Sequence, residues 1–204
     1  MSYSRLFSPA TLLAAVVTLA ACTDTSTGPQ EVATGTARFN FSGALSGAFS
    51  VEGTPHADGT TGSLVHEPFA FAELTSFGAV VDAFEPTTRP MGNLLQIQFT
   101  DRTVGTYSAD PKTCEPRCAF VFHVRELDLN SDQVGRVFVP VSGVVEITRF
   151  SSDRVEGRFD GVILADDADA TATLTLNGGT FAVSLLDRGA LGSRMPQVGI
   201  GLAP

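Results

Sequence analysis

The sequence predicts an all-β fold of antiparallel strands, and three observations carry the prediction. Apolar side chains recur at every second position in run after run, the spacing that places alternate residues on one face of a sheet. Glycine and proline are frequent, 20 and 11 of 204 residues, and they punctuate those runs as turn formers. No window of about 11 residues or more beyond Cys22 keeps the 3.6-residue apolar period of a helix. Roughly eight to ten strands are expected. An antiparallel β-sandwich is the first reading and a small closed β-barrel the alternative, because both bury one face of each strand.

The N-terminus carries an address. Residues 1–5 end in the basic Arg5, residues 6–19 are mostly apolar and uncharged, and small residues lead into Cys22. These are the three parts of a secretory signal. The apolar stretch is shorter than the roughly 20 residues that span a bilayer. Leu19-Ala20-Ala21-Cys22 resembles the lipobox of bacterial lipoproteins. The resemblance implies removal of residues 1–21, diacylglycerol on the Cys22 thiol, and palmitate-type acylation that anchors the chain in a membrane. More than one acyl chain holds firmly where a single chain binds only marginally. Thr23, rather than Asp, follows the cysteine, which in lipoproteins of this class implies the outer membrane of the cell envelope. The alternative is plain secretion with Cys22 left as a free thiol.

Residues 22–36 are rich in Thr, Ser, Gly and Pro and are expected to form a flexible tether. Residues 37–188 then form a single β-domain, and residues 189–204 a loosely ordered tail without a strand pattern. Within the domain, Phe39 and Phe41 open the first alternating run, followed by Leu95, Ile97 and Phe99, then Phe120, Phe122 and Val124. Val145 and Ile147 face Phe159 and the run Val162-Ile163-Leu164 across Ser151-Ser152-Asp153, which suggests a hairpin over 143–165. Leu174 and Leu176 precede Asn177-Gly178-Gly179, and Phe181, Val183 and Leu185 follow it. An Asn-Gly pair between alternating runs predicts a hairpin over 171–186. The segments 94–99, 105–107, 143–148, 155–159 and 177–181, in that order, resemble an uncharacterised class of β-rich bacterial lipoproteins. The likeness rests on strand and turn residues and implies a sheet-rich extracytoplasmic domain without implying any catalytic residue.

Charge narrows the partners. Lys+Arg number 13 against Asp+Glu 22, a formal charge of −9 and a pI near 4.7. Nucleic acid calls for a basic surface, so no nucleic-acid partner is expected. Apolar residues at 43% and charged ones at 17% exclude a wholly disordered chain. The chain has no Trp and two Tyr, which argues against the aromatic girdles of a membrane-spanning barrel and the aromatic platforms of a sugar cleft.

Motifs for chemistry are sparse. Cys114 and Cys118, in a secreted context, predict a structural disulfide around Pro116. Asp128, Asn130 and Asp132 have the spacing that opens a calcium loop, but Gln133 and Val139 stand where the turn glycine and bidentate glutamate belong. A polar hairpin loop is the better reading, and the acidic run Asp166-Asp167-Ala168-Asp169 is read as a solvated hairpin end. His56, Asp58 and His66 form a weak metal-ligand set on a glycine-rich loop. His123 alternates with Phe122 and Val124 and is therefore expected on the opposite, exposed face. Phe69 and Phe71 are the phenylalanines expected to line an exposed ligand groove. Nucleophile-elbow, phosphate-loop and dinucleotide fingerprints do not occur, and the sequence implies no cofactor. The expectation is a lipid-anchored, non-enzymatic binding or envelope-structural domain. The alternatives are a carrier of a small apolar ligand in a Phe-lined pocket and a hydrolase with dispersed carboxylates.

Overall fold

The computed structural model describes residues 34–55, 66–128, 131 and 133–186. Cys22, His56, Asp58, Asn130 and Asp132 lie outside these residues. Among the described residues there are twelve strands and no helix. They are β1 (Gly35–Gly43), β2 (Gly47–Gly53), β3 (Phe69–Leu74), β4 (Ala79–Pro86), β5 (Met91–Phe99) and β6 (Gly105–Ser108). β7 (Ala119–Asp128), β8 (Arg136–Ser142), β9 (Val144–Phe150), β10 (Arg154–Phe159), β11 (Val162–Asp166) and β12 (Thr173–Leu186) complete the set.

All twelve belong to one hydrogen-bonded sheet, ordered β11-β8-β7-β5-β4-β3-β12-β10-β9-β6, with the β1–β2 hairpin attached to β12. Every strand pairing is antiparallel except the short parallel one between β12 and β3. β12 also pairs with β11, so the path returns to the strand it passed through. β9 and β10 pair across the Ser151 turn, as expected, with Ser151 N–H donating to the Arg154 carbonyl.

The expected hairpin over 171–186 is instead one continuous strand. Asn177 pairs with Asn40 of β1, and Gly179 pairs with Phe159 of β10. Gly178, at φ 60°, sits where the β1 register slips, which makes Asn177-Gly178-Gly179 a bulge rather than a turn. On one side β12 pairs with β11 before the bulge and with β10 after it, while β1 lies along its other side. The local glycine chemistry permits either a turn or a bulge, and partners on both sides decide for the bulge.

The strand count exceeds the expected eight to ten for a related reason. β3 and β4 read Phe-Ala-Phe-Ala-Glu-Leu and Ala-Val-Val-Asp-Ala-Phe-Glu-Pro, with every residue but Leu74 buried or half-buried. A strand covered on both faces loses the polar half of its alternation. β6 and β11, at four and five residues, are too short to display a period.

One face of the sheet encloses the main core, where Phe39, Phe49, Leu95, Ile97, Val121, Phe138, Phe159 and Phe181 meet. Tyr107 joins it fully buried, its hydroxyl donating to the Thr103 carbonyl at 2.6 Å. The opposite face of β3, β4, β5 and β7 carries a second apolar cluster that includes Phe69, Phe71, Phe84, Leu94, Val124 and Leu127. His123 does lie on the face opposite Phe122 and Val124, but that face is the core, and the residue is fully buried. The expectation of an exposed histidine fails because it took the phenylalanine side to be the interior.

Candidate functional site

β9, β10 and the β12 bulge converge on a surface cleft of ≈ 390 Å³ lined in part by Val144, Glu146, Arg158, Asp160, Gly178 and Thr180. Register builds it. Arg158 and Glu146 are direct cross-strand partners, and Arg158 Nε donates to Glu146 Oε2 at 2.7 Å. Both are substantially exposed, so the pair adds little stability and leaves the guanidinium's other donors available to a ligand. Asp160, in the turn between β10 and β11, accepts the Gly178 N–H at 2.8 Å and holds the bulge against the cleft. Phe159 packs its ring where a side chain on Gly179 would stand, giving the cleft an apolar floor. Chemically, this is one guanidinium and two carboxylates around a glycine-rich base, suited to a small polar or zwitterionic group.

A second cluster lies on the other side of the molecule. Asp82 is buried on the outer face of β4, where Gln96 Nε2 donates to its Oδ1 at 2.8 Å. Gln98 donates in turn to Gln96 at 2.9 Å. Burial pushes the Asp82 carboxyl up to about 7, opposed by the Gln96 hydrogen bond and aided by the charge of Glu73. This carboxyl therefore holds a proton close to neutral pH.

His123 is the third unusual group. The rings of Phe39, Phe41, Phe49 and Phe138 surround it at centroid distances of 5.3, 5.6, 5.9 and 6.5 Å. Its Nδ1 lies 3.2 Å from the Leu94 carbonyl, which places the neutral ring's proton on Nδ1. Nε2 has no hydrogen-bond partner. Burial, with the Arg125 charge second, lowers its pKa to about 4.

The residues singled out from sequence are dispersed. Cys114 and Cys118 are joined in a disulfide, as expected. Asp128 accepts a hydrogen bond from Ser131 Oγ at 2.7 Å and so caps its own loop. His66 Nε2 lies 2.7 Å from the Met91 carbonyl and must donate there, which commits that nitrogen away from a metal. No cluster of metal-ligating side chains occurs among the described residues. Asp166, expected in a solvated hairpin end, is buried and receives Arg136 Nε at 2.6 Å. Phe69 and Phe71 are buried rather than groove-lining, with ring centroids 5.6 Å apart and Phe84 stacked on Phe69. Asp82 and His123 each interrupt an apolar run, and that interruption was the signal available for them. Nothing local announces the cleft, whose residues come from three strands. The chain matches no protein-family model, no curated protein and no solved structure.

Proposed function

We propose that this chain is a bacterial outer-membrane lipoprotein whose β-domain serves a non-enzymatic binding or envelope-structural role. The reading rests on one observation: Leu19-Ala20-Ala21-Cys22 stands behind a basic start and an apolar run, and β1 begins shortly afterwards at Gly35. The cleft around Arg158 and Glu146 is the contact surface assigned to that role. For the architecture, we infer two layers around one core, a sandwich joined along a corner by β12, supported by the pairing of β12 with both β3 and β11.

Metabolic labelling tests the anchor. Radiolabelled palmitate is expected to enter the full-length protein in a bacterial host and to be absent from Cys22→Ala, which should also leave the membrane fraction. Label that persists in the variant overturns the assignment.

A further inference from the structure

We propose that the β3–β4 turn inserts Phe77 into the surface of a lipid bilayer, with Val104 of the neighbouring β5–β6 loop as a second contact. The inference rests on the Cys22 anchor for its bilayer and goes beyond it by giving the domain a lipid-contacting surface of its own. Phe77 is 83% exposed, more than any other large apolar residue among those described, and Leu74 and Val104 are 40% and 55% exposed. Exposed apolar residues are ordinary when scattered and mark a contact when they gather. Arg102 gathers these. Its Nε donates to the Gly78 carbonyl at 3.2 Å and its Nη2 to the Thr75 carbonyl at 2.6 Å, tying the β5–β6 loop to the β3–β4 turn.

The turn has the chemistry that lipid accepts. Leu74-Thr75-Ser76-Phe77-Gly78 carries no charged side chain. Its backbone closes on itself: the Thr75 N–H donates to the Gly78 carbonyl at 2.9 Å, and the Gly78 N–H donates to Thr75 Oγ1 at 3.1 Å. With Arg102 on both carbonyls, the polar groups at the two ends of the turn are satisfied within the chain. That is the condition for leaving water without a large penalty. A polar protein partner would need donors and acceptors that Thr75 and Gly78 have already used. The β5–β6 loop is tied down in the same way. The Tyr107 hydroxyl donates to the Thr103 carbonyl at 2.6 Å and accepts the Thr103 N–H at 3.3 Å, and Arg117 Nη1 donates to the Val104 carbonyl at 3.5 Å. These bonds fix the two tips before any contact, so insertion orders little further chain. The formal charge of −9 disfavours adsorption on anionic lipid, so the attraction is apolar and local. One ring binds a bilayer weakly by itself, and an acyl anchor on the same chain makes that contact intramolecular and therefore effective.

The chain has no Trp, so Phe77→Trp and Val104→Trp each give the full-length protein a single fluorescent reporter. Each purified variant is mixed with an excess of vesicles of phosphatidylethanolamine and a minor share of phosphatidylglycerol, with and without brominated acyl chains. The emission of Phe77→Trp is expected to shift to the blue and to lose most of its intensity to the brominated lipid, and Val104→Trp to follow to a smaller extent. Val144→Trp, on the rim of the Arg158 cleft, should keep its emission unchanged. Water-like, unquenched emission from Phe77→Trp in a chain with the parental far-UV circular dichroism overturns the proposal, as does an equal response at Val144. If Phe77→Trp alters the fold, Val104→Trp decides by the same criterion. Palmitate labelling reads Cys22 alone. Labelled protein without the blue shift keeps the anchor and loses the lipid-contacting turn, and a blue shift without label does the reverse.

Discussion

Two buried residues, Asp82 on β4 and His123 on β7 with β5 between them, oppose each other in how stability depends on pH. The Asp82 pKa is raised to about 7 in the folded chain, so the folded state holds a proton that the unfolded state releases near 3.8. Its contribution is complete below about pH 4 and is lost as pH rises towards 7. The His123 pKa is lowered from 6.5 to about 4, so the unfolded state binds a proton that the folded core refuses. That contribution is complete above about pH 6.5 and is lost as pH falls towards 4. Each is on the order of 3 kcal/mol across its window, and between pH 4.5 and 6.5 the two slopes cancel. Urea unfolding should show this directly. Asp82→Asn, which keeps an acceptor for Gln96, is expected to gain stability at pH 8 and to lose it steadily on acidification. His123→Phe is expected to show the opposite slope over the same range. Parallel slopes in the two variants would contradict the assignment. The identity of both residues was visible in the sequence, as polar interruptions of apolar runs. Their sidedness was not, because alternation names two faces without saying which is enclosed.

At the scale of elements, glycines shape the strands in two distinct ways. Gly178 has φ 60° and open space where a Cβ would stand, so Gly178→Ala costs only backbone strain, about 1 kcal/mol. Gly157 in β10 has an ordinary backbone, but a Cβ there would collide with the Glu146 carbonyl and the Phe181 ring. Gly157→Ala is expected to cost about 3 kcal/mol, since neither neighbour has room to retreat in a packed core. Denaturation midpoints of the two variants check the order. The Cys114–Cys118 bridge closes a very short loop and contributes about 2 kcal/mol at most by loop entropy. The pattern in β1, β5, β9 and β10 was legible because one face of each is more polar than the other. β3 and β4 were not, because apolar side chains on both faces, alanine and valine inward and phenylalanine outward, erase the period.

For the molecule as a whole, β12 is the organising strand, paired with β1, β3, β10 and β11. Its pairing of Ala182 with Thr36 joins the two ends of the domain across nearly its full length. Folding must close that large loop before the contact stabilises anything, so it is expected to be slow for a chain of this size. A chain ending at Leu176 loses the pairing with β10 and β3 and is expected to lack a cooperative thermal transition by circular dichroism. A chain ending at Leu186 should retain one. A cooperative melt in the shorter chain would show that β12 is dispensable beyond its bulge.

The sequence alone determined the β character, the strands with one polar face, the disulfide and the turn between β9 and β10. Each of these depends on neighbours along the chain. Tertiary structure decided that Asn177-Gly178-Gly179 is a bulge, that His123 is interior, that Phe69 and Phe71 are covered, and that Arg158, Glu146 and Asp160 share a cleft. Those depend on which strand lies beside which, and a period of two residues contains no information about the partner across the hydrogen bond.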